Sequence, residues 1–287
     1  MTKDVELLLN YLQPEKIDDF LFSGDSPAWP ARVFGGQVLA QALAGAISTV
    51  GDDRIPHSMH AYFLRPGDPS RKIVYDIDPI RDGRSFTTRR VVAKQAGRAI
   101  FNTSISFQVE EPGLSHQDEM PDVPPPESLE TDFDFYTRMS TEHPDKFPKP
   151  RNRGIERRPV NRRNYLDPQP EEARHYIWYR VPAELPDLPG IHHTLLAYMS
   201  DFSLLGATLM PHPYSPMSRN MQVASLDHAL WFHRPFRADE YLLYAIDSPS
   251  ASAGRGLARG SFYTQDGVLV ASTAQEALIR DRDAVSG

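Results

Sequence analysis

Two stretches of this chain, far apart, read almost alike. "HAYFLRPG" (60–67) and "DHALWFHRPF" (227–236) are both aromatic, strand-like and closed by Arg-Pro. With Arg65-Pro66 laid over Arg234-Pro235, Phe63 falls on Phe232 and Tyr62 on Trp231. One residue of slippage later the registers still agree. "RRVVAKQAGRAIFNTSISFQ" (89–108) lies over "RGSFYTQDGVLVASTAQEAL" (259–278), matching Arg89 with Arg259, Gly97 with Gly267 and Thr103 with Thr273. A repeat of this kind restricts the fold more than any local propensity, because both copies must be built as the same supersecondary unit.

Each copy runs from one β-like segment through a turn, "QAGR" or "TQDGV", into a second β-like segment, which is a hairpin signal. Upstream of each strand block lies a helical segment. In the first half it is "GGQVLAQALAGAIS" (35–48), small and apolar all round, and therefore expected to be buried. Its counterpart is "HHTLLAYMSDFSLLGATL" (192–209). Helices near 36–49 and 193–206 are expected, each followed by four or five long antiparallel strands. That is an α+β unit in which a sheet wraps a helix. Three segments follow: an N-terminal unit (1–112), a linker and crossover rich in proline and charge (113–165), and a C-terminal unit (166–287). The linker's basic run, "RNRGIERRPVNRR", reads as a solvated face or as ion-pair partners for nearby acids more readily than as a phosphate site.

Composition narrows the function. The chain has no cysteine, which removes disulfides, thiolate metal sites and cysteine nucleophiles together. There is no H-E-x-x-H and no Gly-rich nucleotide loop, so neither a metal nor an organic cofactor is expected. A formal charge of −7 argues against nucleic acid as a general partner. The longest apolar stretch is too short to span a bilayer, so no membrane insertion is expected. The N-terminus, "MTKDVELLLNYLQPEK", carries acids before its apolar residues and reads as an amphipathic helix rather than a secretory signal. A cytoplasmic location follows from these features.

"RVFGGQVLAQAL", "HSMHAYFLRPGD", "LDHALWFHRPF" and "FYTQDGVLVASTAQE" together resemble the bacterial acyl-CoA thioesterase II family, in the family's order, from about residue 5 to residue 281. The resemblance implies a double hotdog: two tandem units, each an antiparallel sheet wrapping a central helix. It also implies hydrolysis of fatty acyl-CoA to free fatty acid and CoA, and further assembly to a homodimer or homotetramer. The family's catalytic Asp, Thr or Ser, and Gln map onto Asp201 in "YMSDFSLL", Ser225 in "VASLDH" and Gln275 in "STAQEA".

The residues themselves bear on these roles. Thioester hydrolysis needs a water to be oriented and deprotonated and an oxyanion to be stabilised. Asp201 sits in an apolar segment, where a lone carboxylate is costly unless paired or used; an N-cap or an exposed position on an amphipathic helix is the structural alternative. Ser225 keeps the hydroxyl of the family's Thr and loses its stiffening methyl. Gln275 falls where the first copy has Ile105, and Asp201 near Ala44, so one working site is expected, in the second half. Gly35-Gly36 could serve an oxyanion or phosphate at a helix start, and with His57 they are candidate substrate contacts; tight packing explains the glycines equally well. Asp227-His228 imitates half of a triad, but neighbouring strand residues face opposite ways and no G-x-S-x-G elbow is present. Two other readings stand beside hydrolysis: a hotdog 3-hydroxyacyl-thioester dehydratase or hydratase, and a non-catalytic acyl-CoA binding module.

Overall fold

The computed structural model describes residues 2–27, 32–147 and 149–285. The first half runs α1 (Lys3–Leu12), β1 (Glu15–Asp18), β2 (Leu21–Gly24), α2 (Gly35–Ile47), β3 (Ile55–Phe63), β4 (Ile73–Asp82), β5 (Phe86–Gln95) and β6 (Arg98–Gln108). A crossover with α3 (Asp132–Glu142) leads to the second half. The crossover ends with β7 (Glu156–Pro159), and the second half holds β8 (Arg174–Arg180), α4 (Ile191–Ser200), α5 (Leu204–Leu209), β9 (Met221–Ser225), β10 (Asp227–Phe232), β11 (Leu242–Ser252), β12 (Arg255–Thr264), β13 (Leu269–Asp281) and the short α6 (Arg282–Val285).

Among the described residues the two expected sheets join into one sheet of 13 strands, ordered β1-β2-β4-β5-β6-β3-β10-β13-β12-β11-β8-β7, with β9 beside β13. The junction is the antiparallel pair β3–β10, in which His60 opposes Ala229, Met59 opposes Leu230 and Ala61 opposes His228. The sequence alignment makes His60 and Ala229 equivalent, and they face each other. A pseudo-two-fold axis therefore passes between them, and the two halves form the double hotdog that the family resemblance implies.

The same registers explain the repeated Arg-Pro. Arg65 Nη1 donates to Ala99 O at 2.7 Å and Arg234 Nη1 donates to Leu269 O at 2.9 Å. One residue earlier, Leu64 N–H donates to Ile100 O and His233 N–H to Val270 O, both at 2.8 Å. In each copy the arginine at the strand's end ties it to the start of the neighbouring hairpin strand. Proline follows where no further ladder donor is wanted.

The central helices lie antiparallel, with the start of α2 against the end of α4. A Cβ on Gly36 would fall 2.5 Å from Tyr198 O, so only glycine permits this approach. Helix α2 is buried from Gly36 to Ala46, as its all-round apolar pattern requires. The second helical segment departs from expectation, because it does not run unbroken to 206. Helix α4 ends at Ser200, Ser203 takes a left-handed backbone (φ 73°), and α5 then packs on β11, β12 and β13. The break places Asp201 at a helix terminus rather than on a helix face.

Helix α1 buries Val5, Leu8 and Leu12 on one stripe. The crossover is strapped to the second half. Gln117 Nε2 donates to Gly267 O at 2.8 Å, and Trp178 Nε1 to Pro124 O at 3.0 Å. Three arginines of its basic run are ion-paired. Arg157 and Arg162 meet Asp132, and Arg158 meets Glu156, which Arg180 of β8 also meets. Strand β7, within that run, pairs with β8 as the outer strand. Among the described residues no helix is long and apolar enough to cross a membrane.

Candidate active site

Asp201 stands where the C-terminus of α4 meets the N-terminus of α2. Its Oδ2 accepts the Gly36 N–H at 2.7 Å. Asp201 thus caps α2 from the other half of the molecule, while the local N-cap residue, Phe34, makes no side-chain cap. Its Oδ1 is closed off from solvent and has no hydrogen-bond partner among the described residues. Burial pushes the carboxyl up to about 7, against the opposing pull of the Gly36 N–H and of the Arg32 charge. A carboxylate at this level is half-ionised near neutrality and basic enough to take a proton from water.

Ser225 and Gln275 meet directly, with Gln275 Nε2 donating to Ser225 Oγ at 3.0 Å. A β-bulge makes this possible. Ser225 opposes Ala277, and Ala229 opposes Ala274. One extra residue, Leu226, therefore sits between β9 and β10. Without it, Ser225 and His228, three positions apart, would point to opposite faces. With it, Ser225, His228 and Gln275 share the inner face. First-half strand β3 has its own register shift between Pro56 and Ser58.

The network goes on past Gln275. Gln275 Oε1 lies 2.8 Å from His228 Nδ1, and His228 Nε2 lies 2.9 Å from Ser200 Oγ. Ser200 is the last residue of α4, next to Asp201. Tyr244 OH donates to Ser200 O at 2.9 Å and pairs with Thr273 Oγ1 at 2.8 Å. Buried polar groups gathered this way stiffen a site when each is satisfied. Ser200 was not singled out from sequence, and His228 was set aside there as half of an imitated triad. One signal could have found His228: its aligned partner is Met59, just as that of Gln275 is Ile105, so the polar-for-apolar exchange occurs twice. Asp227 turns away, accepting the Glu276 N–H at 2.7 Å.

The glycines serve Asp201. A Cβ on Gly35 would lie 2.6 Å from its Oδ2, and the Gly36 N–H is already committed to it. That correction removes the Gly36 N–H as a donor for a substrate oxyanion or phosphate. His57 is not brought to these groups. Its Nε2 meets Ser106 Oγ at 2.8 Å, at the far end of β3 from Phe63, whose ring borders Gly35. Six residues of strand put it about 20 Å from Phe63.

A cleft of about 1780 Å³ opens beside Phe202 and Ser203, bounded by α1, α3 and the basic run. Its walls mix apolar side chains such as Leu7, Met139 and Leu205 with cations such as Lys146 and Arg153. Arg153 lies over the rings of Phe34 and Phe202, which flank Gly35 and Asp201 in sequence, at 5.8 and 5.6 Å. Among the described residues no group of three or more His, Asp or Glu is placed to hold a metal ion.

Two family models match the chain: "Acyl-CoA thioesterase N-terminal domain" over residues 25–108 and "Acyl-CoA thioesterase" over residues 145–278. The chain is 42% identical over 280 residues to "Acyl-CoA thioesterase 2" of Haemophilus influenzae, covering 95% of this chain and 96% of that one. It is 40% identical over 292 residues to human "Acyl-coenzyme A thioesterase 8", covering 98% and 91%. The crystal structure of an acyl-CoA thioesterase II, TesB2, from Mycobacterium marinum superposes with a TM-score of 0.79 at 41% identity, covering 96% of this chain and 98% of that one. Two matched domains in tandem, and relatives this similar along nearly the whole chain, place it in the acyl-CoA thioesterase family, in its double-hotdog form.

Proposed function

We propose that this protein hydrolyses fatty acyl-CoA to a free fatty acid and CoA, with Asp201 as general base. The observation that carries the reading is the split role of that carboxylate: Oδ2 is fixed by Gly36, while Oδ1 is unpartnered and basic. Asp201 Oδ1 takes a proton from a water held beside Ser225 and Gln275. The water oxygen bonds to the thioester carbon and the carbonyl oxygen becomes negative. The carbonyl re-forms as the C–S bond breaks, and the sulfur leaves as thiolate and takes the proton held on Asp201, which gives free CoA thiol and restores the base. A thioester is activated enough that no covalent nucleophile is required.

In this reading the cleft beside Phe202 and Ser203 receives the substrate. It exceeds the roughly 300–1,000 Å³ of an ordinary ligand pocket, as a long acyl chain joined to a charged carrier requires. Residues 1–112 serve as a structural and enclosing unit, 113–165 as the crossover, and 166–287 as the catalytic unit. We propose a cytoplasmic homodimer or homotetramer that needs no metal or organic cofactor. The absence of cysteine fits that compartment, sedimentation would read the assembly, and activity surviving a chelator would support metal independence.

A dehydratase would need a histidine with a nitrogen free for the substrate. Both nitrogens of His228 are taken by Gln275 and Ser200. Dehydratase structures do share the fold, at 15% identity and a TM-score of 0.53 in one case, but that likeness concerns the fold alone. The deciding experiment is product analysis with palmitoyl-CoA. Stoichiometric free thiol and palmitate support the hydrolase; an altered acyl chain, or binding without turnover, would reject it.

A further inference from the structure

His228 takes no step in the mechanism above, yet it joins the Ser225–Gln275 pair to the helix that carries Asp201. Only 1% of its surface is exposed. Its Nδ1 faces an amide oxygen, Gln275 Oε1, at 2.8 Å. An amide oxygen can only accept, so Nδ1 carries the ring proton. Burial holds the ring neutral, pushed down to about 4, so Nε2 is a bare acceptor. It takes its proton from Ser200 Oγ at 2.9 Å. Ser200 Oγ also lies 2.9 Å from Ala197 O, but one hydroxyl proton cannot serve both, and the neutral ring requires it. With Oε1 held, the Gln275 amide turns its nitrogen to Ser225 Oγ at 3.0 Å. Every bond then points one way: Ser200 to His228, His228 to Gln275, Gln275 to Ser225.

The direction has a chemical consequence. Ser225 accepts within the chain, so its own O–H remains to donate, as does the second N–H of Gln275. With the amide reversed, Ser225 would spend its proton on Oε1, and the pair would turn lone pairs toward the water, competing with Asp201 for its protons. We propose that His228 is a positioning residue whose Nδ1–H locks the Gln275 amide, so that the Ser225–Gln275 pair presents donors where negative charge develops. Such donors must be preorganised to lower a barrier. This inference rests on the hydrolytic reading and adds the polarity of its polar wall.

Two variants separate the ends of the ring. Asparagine places its amide where Nδ1 stands, and glutamine where Nε2 stands. His228→Asn keeps the donor to Gln275 and is expected within about threefold of wild-type kcat, whereas His228→Gln keeps only the Ser200 partner. The latter should lose roughly tenfold in kcat, the worth of one buried hydrogen bond, with KM for palmitoyl-CoA changed less than about threefold. Nitrogen-15 NMR of the unliganded wild type should show the Nδ1–H tautomer. The proposal is overturned by a proton on Nε2, by equal losses in the two folded variants, or by an unimpaired His228→Gln. If neither variant folds, the wild-type tautomer decides alone. That spectrum involves no turnover, so its failure is distinct from failure of the hydrolytic reading, which would show as no thiol released by the wild type.

Discussion

The two halves of this molecule share a frame and differ in its lining. Met59 opposes Ile105 in the first half, both fully buried. At the aligned positions of the second half, His228 faces Gln275 and the two are hydrogen-bonded. Helix α2 runs unbroken, its buried residues small or apolar but for Gln37 and Gln41, whereas its counterpart breaks after Ser200. Even a matched letter changes meaning. Arg89 is buried and paired with Asp82, and its partner Arg259 is exposed and paired with Asp247. A duplicated frame thus keeps main-chain registers and corner bonds, while the core positions that face the pseudo-axis are free to become either packing or chemistry. Here one copy supplies the polar wall and the broken helix. The other supplies the helix N-terminus that holds Asp201.

The largest test of that division is Asp201→Asn. It keeps an oxygen for the Gly36 N–H and removes the base, so kcat should fall roughly 10²-fold or more while acyl-CoA still binds. Stability should move the other way. The folded carboxyl is raised to about 7, above its unfolded value of about 3.9. Between those values the native state binds more protons than the unfolded one, so stability falls as pH rises. The asparagine variant should therefore be more stable than wild type at pH 8, by at most about 4 kcal/mol for three pKa units, and no more stable at pH 4. Equal melting temperatures at pH 8 together with full activity would remove Asp201 from the site.

How much of this was legible in the sequence divides along the same line. The repeat yielded the two halves, the hairpins and the buried helices, because frame positions are set by periodicity and turn residues, but not that β3 and β10 join them. Gln275 stood out against Ile105 for the same reason. The break at Asp201 to Ser203 was not visible, since "YMSDFSLLGATL" keeps a helical apolar pattern throughout and only tertiary packing of α5 on the sheet stops it. The bulge at Leu226 left no glycine or other local mark, so the convergence of Ser225 with His228 was hidden. His57 looked like a site residue because it sits at the strand start corresponding to Asp227-His228, but the length of β3 separates it from Phe63, the residue of that strand that borders Gly35.

Smaller effects are expected from the wall itself. Gln275→Ile, which copies the first half, and Ser225→Ala should each lower kcat less than Asp201→Asn. Adding either to Asp201→Asn should cost little more, because groups acting as one unit are not additive. Full additivity in a double-mutant cycle would mean that the wall and the base act separately. The pH–rate profile should rise through about pH 7 as Asp201 ionises and flatten above it. The reverse graft, Ile105→Gln, should generate no second activity and should lower stability by about 1–3 kcal/mol, since an amide would be buried opposite Met59 without a partner.

The least dramatic prediction concerns the corners that the halves share. Arg65 and Arg234 make the same bond to the neighbouring hairpin strand, through Ala99 O and Leu269 O. Arg234 does more: its Nη2 also donates to Ser115 Oγ at 3.1 Å and to His116 O at 3.0 Å. One copy of the corner thus holds its sheet, and the other also clamps the crossover that leads to the cleft. Arg65→Ala should cost about 0.5–1.5 kcal/mol, the worth of one hydrogen bond. Arg234→Ala should cost roughly twice that. It should also raise amide exchange across residues 115–125, which Arg65→Ala should leave protected. Denaturant titration of the two variants side by side measures the difference. Equal losses, with the crossover equally protected in both, would show that the two corners are equivalent in energy as well as in letter, and that the crossover is held by Gln117 and Trp178 instead.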